Sequence, residues 1–126
     1  MRYRPLWLAM GWGMVALVFY LSLTPRPVEL RIDYGDKYLH LLAYFVLMWW
    51  FQQLYPARGA RLLLLCLFTG MGVGLEYLQG ISGMRVFDPA DMVANGLGAL
   101  LAWTVGWLGF ASLLPWVESL LVPKRQ

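Results

Sequence analysis

The stretch LWLAMGWGMVALVFYLSL, residues 6–23, holds no charged side chain from end to end. A helix rising about 1.5 Å per residue needs about 20 apolar residues to cross a hydrocarbon core about 30 Å thick. Arg2 and Arg4 precede the run, and Thr24-Pro25-Arg26-Pro27 ends it, because proline lacks the N–H that would carry the helix on. A basic start before an apolar run also opens a signal peptide. This run exceeds the usual core of about 7 to 15 residues, lacks a clear small-residue cleavage site and is followed by further apolar runs, so it reads as a first membrane helix.

Working outward, a polar connection with Glu29, Arg31, Asp33, Asp36 and Lys37 leads to a second run at 38–55. Pro56-Ala57-Arg58-Gly59 turns the chain into a third at 61–79, and Gly80-Ile81-Ser82-Gly83 with Arg85 into a fourth. The expected fold is all-α: one domain, 1–126, forming a four-helix transmembrane bundle with helices at about 6–24, 38–55, 61–79 and 89–114, the last closed by Pro115. The remaining segment, 116–122, is short and amphipathic and suits a membrane interface.

Composition agrees. At 126 residues, 60% hydrophobic and 13% charged, the chain is too apolar for a soluble fold of its length, and it fits no disordered, collagenous or disulfide-scaffold class. The single cysteine, Cys66, lies in an apolar run and reads as a small membrane-buried hydrophobe. The net charge of +3 is spread over short connections rather than gathered on one face, so nucleic acid is not an expected partner.

In such a chain, lysine and arginine report orientation. Arg2, Arg4, Arg58, Arg61, Lys124 and Arg125 fall on one side, against Arg26, Arg31, Lys37 and Arg85 on the other. This bias puts both termini in the cytoplasm. Gly70 and Gly74 in the third run, and Gly96 with Gly98 in the fourth, are expected to let helices approach closely, within the bundle or between copies in a homo-oligomer. They follow no strand and open no phosphate-facing turn, so they do not read as a nucleotide loop.

The functional clue is where the polar residues invade. Asp36, Lys37 and His40 enter the second helix, Glu76 and Gln79 leave the third, and Arg85, Asp88, Asp91 and Asn95 enter the fourth, all at the outer face in this topology. Spacings of three and four align Asp36 with His40, Glu76 with Gln79, and Asp91 with Asn95. Tyr44 continues the His40 face, for a deeper hydrogen bond or for plain aromatic packing. Glu76 lies about 22 Å of helical rise beyond Arg61, below the outer interface, where a bare carboxylate costs about 2 to 4 kcal/mol. It must be paired, neutral or open to water, and Arg85 is the expected partner.

Asp88-Pro89-Ala90-Asp91 reads equally as a helix start, with Asp88 at the N-cap, Pro89 at the first turn and Asp91 returning a bond to the cap; Asp36 is a similar cap for the second helix. His40 is the sole histidine, the one side-chain type whose unperturbed charge change spans neutral pH, which makes it the leading side chain for proton transfer or metal ligation, beside a plain structural role. Candidate catalytic residues are His40, Glu76 and Asp91. With four carboxylates against Lys37 and Arg85, the cluster is net negative and does not suit a simple phosphate clamp. It suits internal ion pairs, a cationic or sugar-like ligand, or a divalent metal ion held by His40 and carboxylates. No cofactor motif, G-x-S-x-G elbow or H-E-x-x-H pattern is present.

The order Asp36-Lys37-x-x-His40, Tyr44, Glu76-x-x-Gln79, Arg85, Asp91-x-x-x-Asn95-x-x-Gly98, after Leu23-Thr24-Pro25, resembles the VanZ-like family over nearly the whole chain. The resemblance implies a small integral protein of the bacterial inner membrane, in a family first associated with low-level teicoplanin resistance. It marks those residues as important without assigning a reaction. Three functions stay open: binding of a membrane lipid headgroup or lipid-linked cell-wall intermediate in an outward pocket, hydrolysis or transfer on a lipid-linked substrate through His40 and carboxylates, and a structural interaction subunit.

Overall fold

The computed structural model describes residues 1–25, 34–83 and 85–123. Arg26, Glu29, Arg31, Asp33, Lys124 and Arg125, which entered the orientation count and the polar connection, lie outside the described residues. The described residues form five helices and no strand: α1 Arg4–Leu23, α2 Gly35–Leu54, α3 Arg58–Ile81, α4 Pro89–Trp107 and α5 Leu113–Leu121.

The all-α expectation stands, with two changes. The fourth helix stops at Trp107, where Gly109 adopts a positive φ of 92° that suits glycine, instead of running on to Pro115. Pro115 sits in the first turn of α5, where the backbone N–H has no helical partner to lose. Leu114 and Glu118 of α5 are buried against the rest of the molecule, while Trp116, Leu120 and Leu121 face outward.

The second change concerns apolarity. Among the described residues, only α1 and α3 are long and apolar enough, by length and composition, to cross a membrane. The reason lies in the packing. α2 and α4 form the central pair and spend their inward faces on polar side chains and small residues: Gln52 and Gln53 are buried on α2, and Asp91, Asn95, Gly98 and Gly106 on α4. α1 and α3 flank this pair and expose large apolar groups such as Leu17, Tyr20, Leu63 and Leu67. The exposed Cys66 lies on α3.

Small residues bring α2 and α4 together, but not all of those expected. A Cβ on Gly98 would overlap the Leu41 carbonyl oxygen, one on Gly106 would overlap the Gln52 amide, and Ala99 and Ala102 are wholly buried between the helices. Gly72 on α3 meets Asn95 in the same way, at 2.9 Å from its Cβ. Gly70 and Gly74, the pair singled out by spacing, have nothing within 4 Å, and Gly96 touches only Thr69. The core proper lies midway along the pair, where Tyr44, Leu47, Met48 and Phe51 of α2 pack on Phe68, Ala99 and Ala102.

The end of the bundle nearest residues 2–7 is locked by a polar set absent from the sequence reading. Glu118 of α5 accepts hydrogen bonds from the Arg2 and Tyr3 backbone N–H groups and from Trp7 Nε1 at 2.7 Å. Gln53 Oε1 accepts the Leu114 N–H, and Gln52 Nε2 donates to the Ala102 carbonyl. Two adjacent amides inside an apolar helix were the available signal, since buried amides must find partners.

Candidate functional site

At the other end of the bundle, the N-termini of α2 and α4 lie side by side. α4 begins as its sequence requires: Asp88 is the N-cap, its Oδ1 accepting the Ala90 N–H at 2.9 Å, and Pro89 takes the first helical position. The return bond to the cap does not come from Asp91. Glu76 of α3 supplies it, with Oε1 accepting the Asp88 N–H at 2.6 Å. Asp36 does not cap α2 either; the N-cap is Tyr34, in the left-handed region at φ 59°, and Asp36 lies in the first turn.

With its capping duty taken over, Asp91 is free to turn to α2. Lys37 Nζ lies 2.6 Å from Asp91 Oδ1 and 2.7 Å from Asp36 Oδ2, and it bonds Asp88 Oδ2 as well. An ammonium has three donors, so Lys37 has none left for a ligand. Asp36, Asp88 and Asp91 bring carboxylate oxygens within 4.8 Å of one another, the grouping by which they would share a divalent ion, but the Lys37 ammonium already supplies a positive charge to all three. The contact with Lys37, and then the Ala90 N–H, hold the Asp88 carboxyl below the usual aspartate range.

His40 stands one turn further along α2. Its Nδ1 donates to Asn95 Oδ1 at 2.9 Å as the amide is oriented, and its Nε2 lies 3.7 Å from Asp91 Oδ2, beyond a direct hydrogen bond. Asn95 thus orients the ring and leaves Nε2 for chemistry or for a ligand.

Glu76 and Arg85 do not pair. Arg85 Nη1 donates to the Leu21 and Ser22 carbonyls, at 3.0 and 2.8 Å, and Gln79 Nε2 donates to the same Ser22 carbonyl at 2.6 Å. These are late carbonyls of α1, lacking helical partners, and they draw the guanidinium away from Glu76. Glu76 is 1% exposed and its Oε2 has no partner; the Tyr44 hydroxyl, on a residue 2% exposed, has none either. Of the two expectations for Tyr44, packing is what the structure shows.

The residues therefore fall into two groups on either side of one space. Asp36, Lys37, His40, Asp88, Asp91 and Asn95 tie α2 to α4, whereas Gln79 and Arg85 tie α3 and the following loop to α1. Between them lies a cavity of about 830 Å³. Asp36, His40, Tyr44, Gln79, Arg85, Asp88 and Asp91 line it, whereas Lys37, Glu76 and Asn95 stand behind its wall. Its remaining wall is apolar: Met14, Leu17, Val18 and Leu21 of α1 face Leu39, Leu42, Ala43 and Val46 of α2. Sequence spacing found the polar end of this cavity but not its apolar wall, because leucines on an apolar helix look alike whether they face outward or into a cleft.

No protein-family description matches the chain, and no solved structure matches it. It is similar to a Schizosaccharomyces pombe protein described as uncharacterized, with 34% identity over 86 residues that cover 66% of this chain and 51% of the yeast protein. The chain thus spans about half the length of that relative.

Proposed function

We propose that this chain is a four-pass membrane protein of the cell envelope, with both termini cytoplasmic, whose outward recess binds a lipid headgroup or a lipid-linked cell-wall intermediate. One observation carries the reading: a single cavity has charged groups at one end and two facing rows of apolar side chains along α1 and α2, the division an amphiphile presents. The four long helices have 19 to 24 residues, so even the shortest rises about 28 Å, close to a hydrocarbon core. On this reading the polar faces of α2 and α4 are tolerated because they are turned inward. The placement in a bacterial inner membrane and the link to teicoplanin resistance rest on the resemblance to VanZ-like proteins, and binding of the protein to itself rests on its glycines.

The test is mass spectrometry of lipids retained by the protein after several gentle detergent extractions. A lipid should remain with the wild type and be depleted in Arg85→Gln, which removes a charge from the cavity lining. Finding none with the wild type would overturn the reading.

A second reading is favoured by the orientation of His40. An imidazole fixed through Nδ1, with Nε2 facing both a carboxylate and the cavity, is the arrangement a general base requires in a membrane hydrolase or transferase on a lipid-linked substrate. A His40→Ala protein that stays folded and keeps its full cellular phenotype would remove it.

A further inference from the structure

The charges that reach the cavity are sorted by position. On the α2–α4 side, three carboxylates share one ammonium, an excess of two negative charges, and the outermost of them, Asp36 and Asp88, have side chains 60% and 41% exposed. On the α1 side stands Arg85, which makes no ion pair among the described residues and uses only Nη1 for the α1 carbonyls, leaving Nε and Nη2. A purely anionic headgroup would face two surplus carboxylates, and a purely cationic one would leave Arg85 unmatched.

Resting on the reading of the recess as an amphiphile site, we propose that it takes a zwitterionic phosphoamine headgroup, with the phosphate on Arg85 and a primary ammonium on Asp36 and Asp88. A primary amine is favoured over a quaternary one because it has N–H donors for carboxylate oxygens. The apolar rows along α1 and α2 take the acyl chain.

The test is a lipid titration of the intact protein in detergent followed by native mass spectrometry, using dioleoyl phosphatidylethanolamine, phosphatidylcholine and phosphatidylglycerol. Phosphatidylethanolamine should bind about tenfold more tightly than phosphatidylglycerol, the value of one charge-assisted hydrogen bond, with phosphatidylcholine between. Asp36→Asn with Asp88→Asn should erase that preference, and asparagine keeps the α4 cap. Arg85→Gln should weaken all three about tenfold while leaving uncharged dioleoylglycerol unchanged. Competition by free phosphoethanolamine would uphold the headgroup assignment with a soluble source, and its failure to compete would uphold it with a lipid source. Equal binding of the three lipids, or tighter phosphatidylglycerol, on the wild type overturns the proposal. If a photoactivatable lipid still crosslinks to Leu17 or Leu42 in that case, the amphiphile site survives without the headgroup assignment; if it does not and no lipid is retained, both fall.

Discussion

Lys37 and Asp91 are 54 residues apart in the chain, yet Nζ of one lies 2.6 Å from Oδ1 of the other, and that contact fixes the start of α2 against the start of α4. Because the same ammonium also holds Asp36 and Asp88, it offsets the mutual repulsion of a close group of carboxylates.

Replacing Lys37 should therefore cost more than replacing any acid it holds. Lys37→Met leaves Asp91, whose side chain is only 10% exposed, without its countercharge, and should destabilise the fold by about 3 kcal/mol. Asp36→Asn, at the exposed rim, should cost less than about 1 kcal/mol. Thermal unfolding in detergent checks both, and equal shifts would contradict the latch.

The glycines offer a sharper contrast. Gly98→Ala drives a methyl group into the Leu41 backbone, which cannot yield as a side chain does, and should cost about 3 kcal/mol. Gly70→Ala meets nothing and should be neutral or stabilise the helix by up to about 1 kcal/mol. If Gly70→Ala instead disrupts an oligomer seen by crosslinking, the close approach belongs between copies of the chain.

Glu76 separates shape from charge. Glu76→Gln keeps an oxygen for the Asp88 N–H and should unfold within about 1 kcal/mol of the wild type, whereas Glu76→Ala strands that N–H and should cost about 2 to 3 kcal/mol. A large loss for the glutamine variant would mean that the carboxylate itself is paired in the folded protein.

These two variants also show how far the sequence could be read. That Glu76 needs a polar partner followed from its place in an apolar run, and its convergence with Asp88 and Asp91 followed from the order of the helices. Its partner did not, because Arg85 found unpaired α1 carbonyls and Glu76 found a helix-cap N–H, and backbone acceptors and donors carry no letter in a sequence. For the same reason Gly98 was legible as a small residue but its contact, the Leu41 carbonyl, was not. The end of α4 was misplaced because Pro115 marks the first turn of a helix as readily as it marks the limit of one.

At the opposite end, acid should release residues 2–7 before the rest. Burial pushes the Glu118 carboxyl up, but bonds from Trp7 Nε1, Tyr3 N–H and Arg2 N–H outweigh it and hold the group below its ordinary value of 4.5. A carboxyl lowered by folding contributes stability above that ordinary value, and the contribution is lost as pH falls through the lowered one. Hydrogen exchange of the Tyr3 amide should accelerate in that acid window in the wild type and be fast and nearly independent of carboxyl titration in Glu118→Gln. Protection that persists in acid as strongly as at neutral pH would show that the carboxylate is not what holds the segment.

α1 is fastened at both extremities, by Trp7 to Glu118 and by the Leu21 and Ser22 carbonyls to Arg85 and Gln79, while its middle borders the cavity. A beam clamped at each end widens the gap beside it by bowing, not by swinging out like a door. Bulkier occupants would then be admitted in proportion to the helix's bending stiffness, which makes the unencumbered Gly13 near its midpoint the place where a stiffer residue would narrow the range of guests.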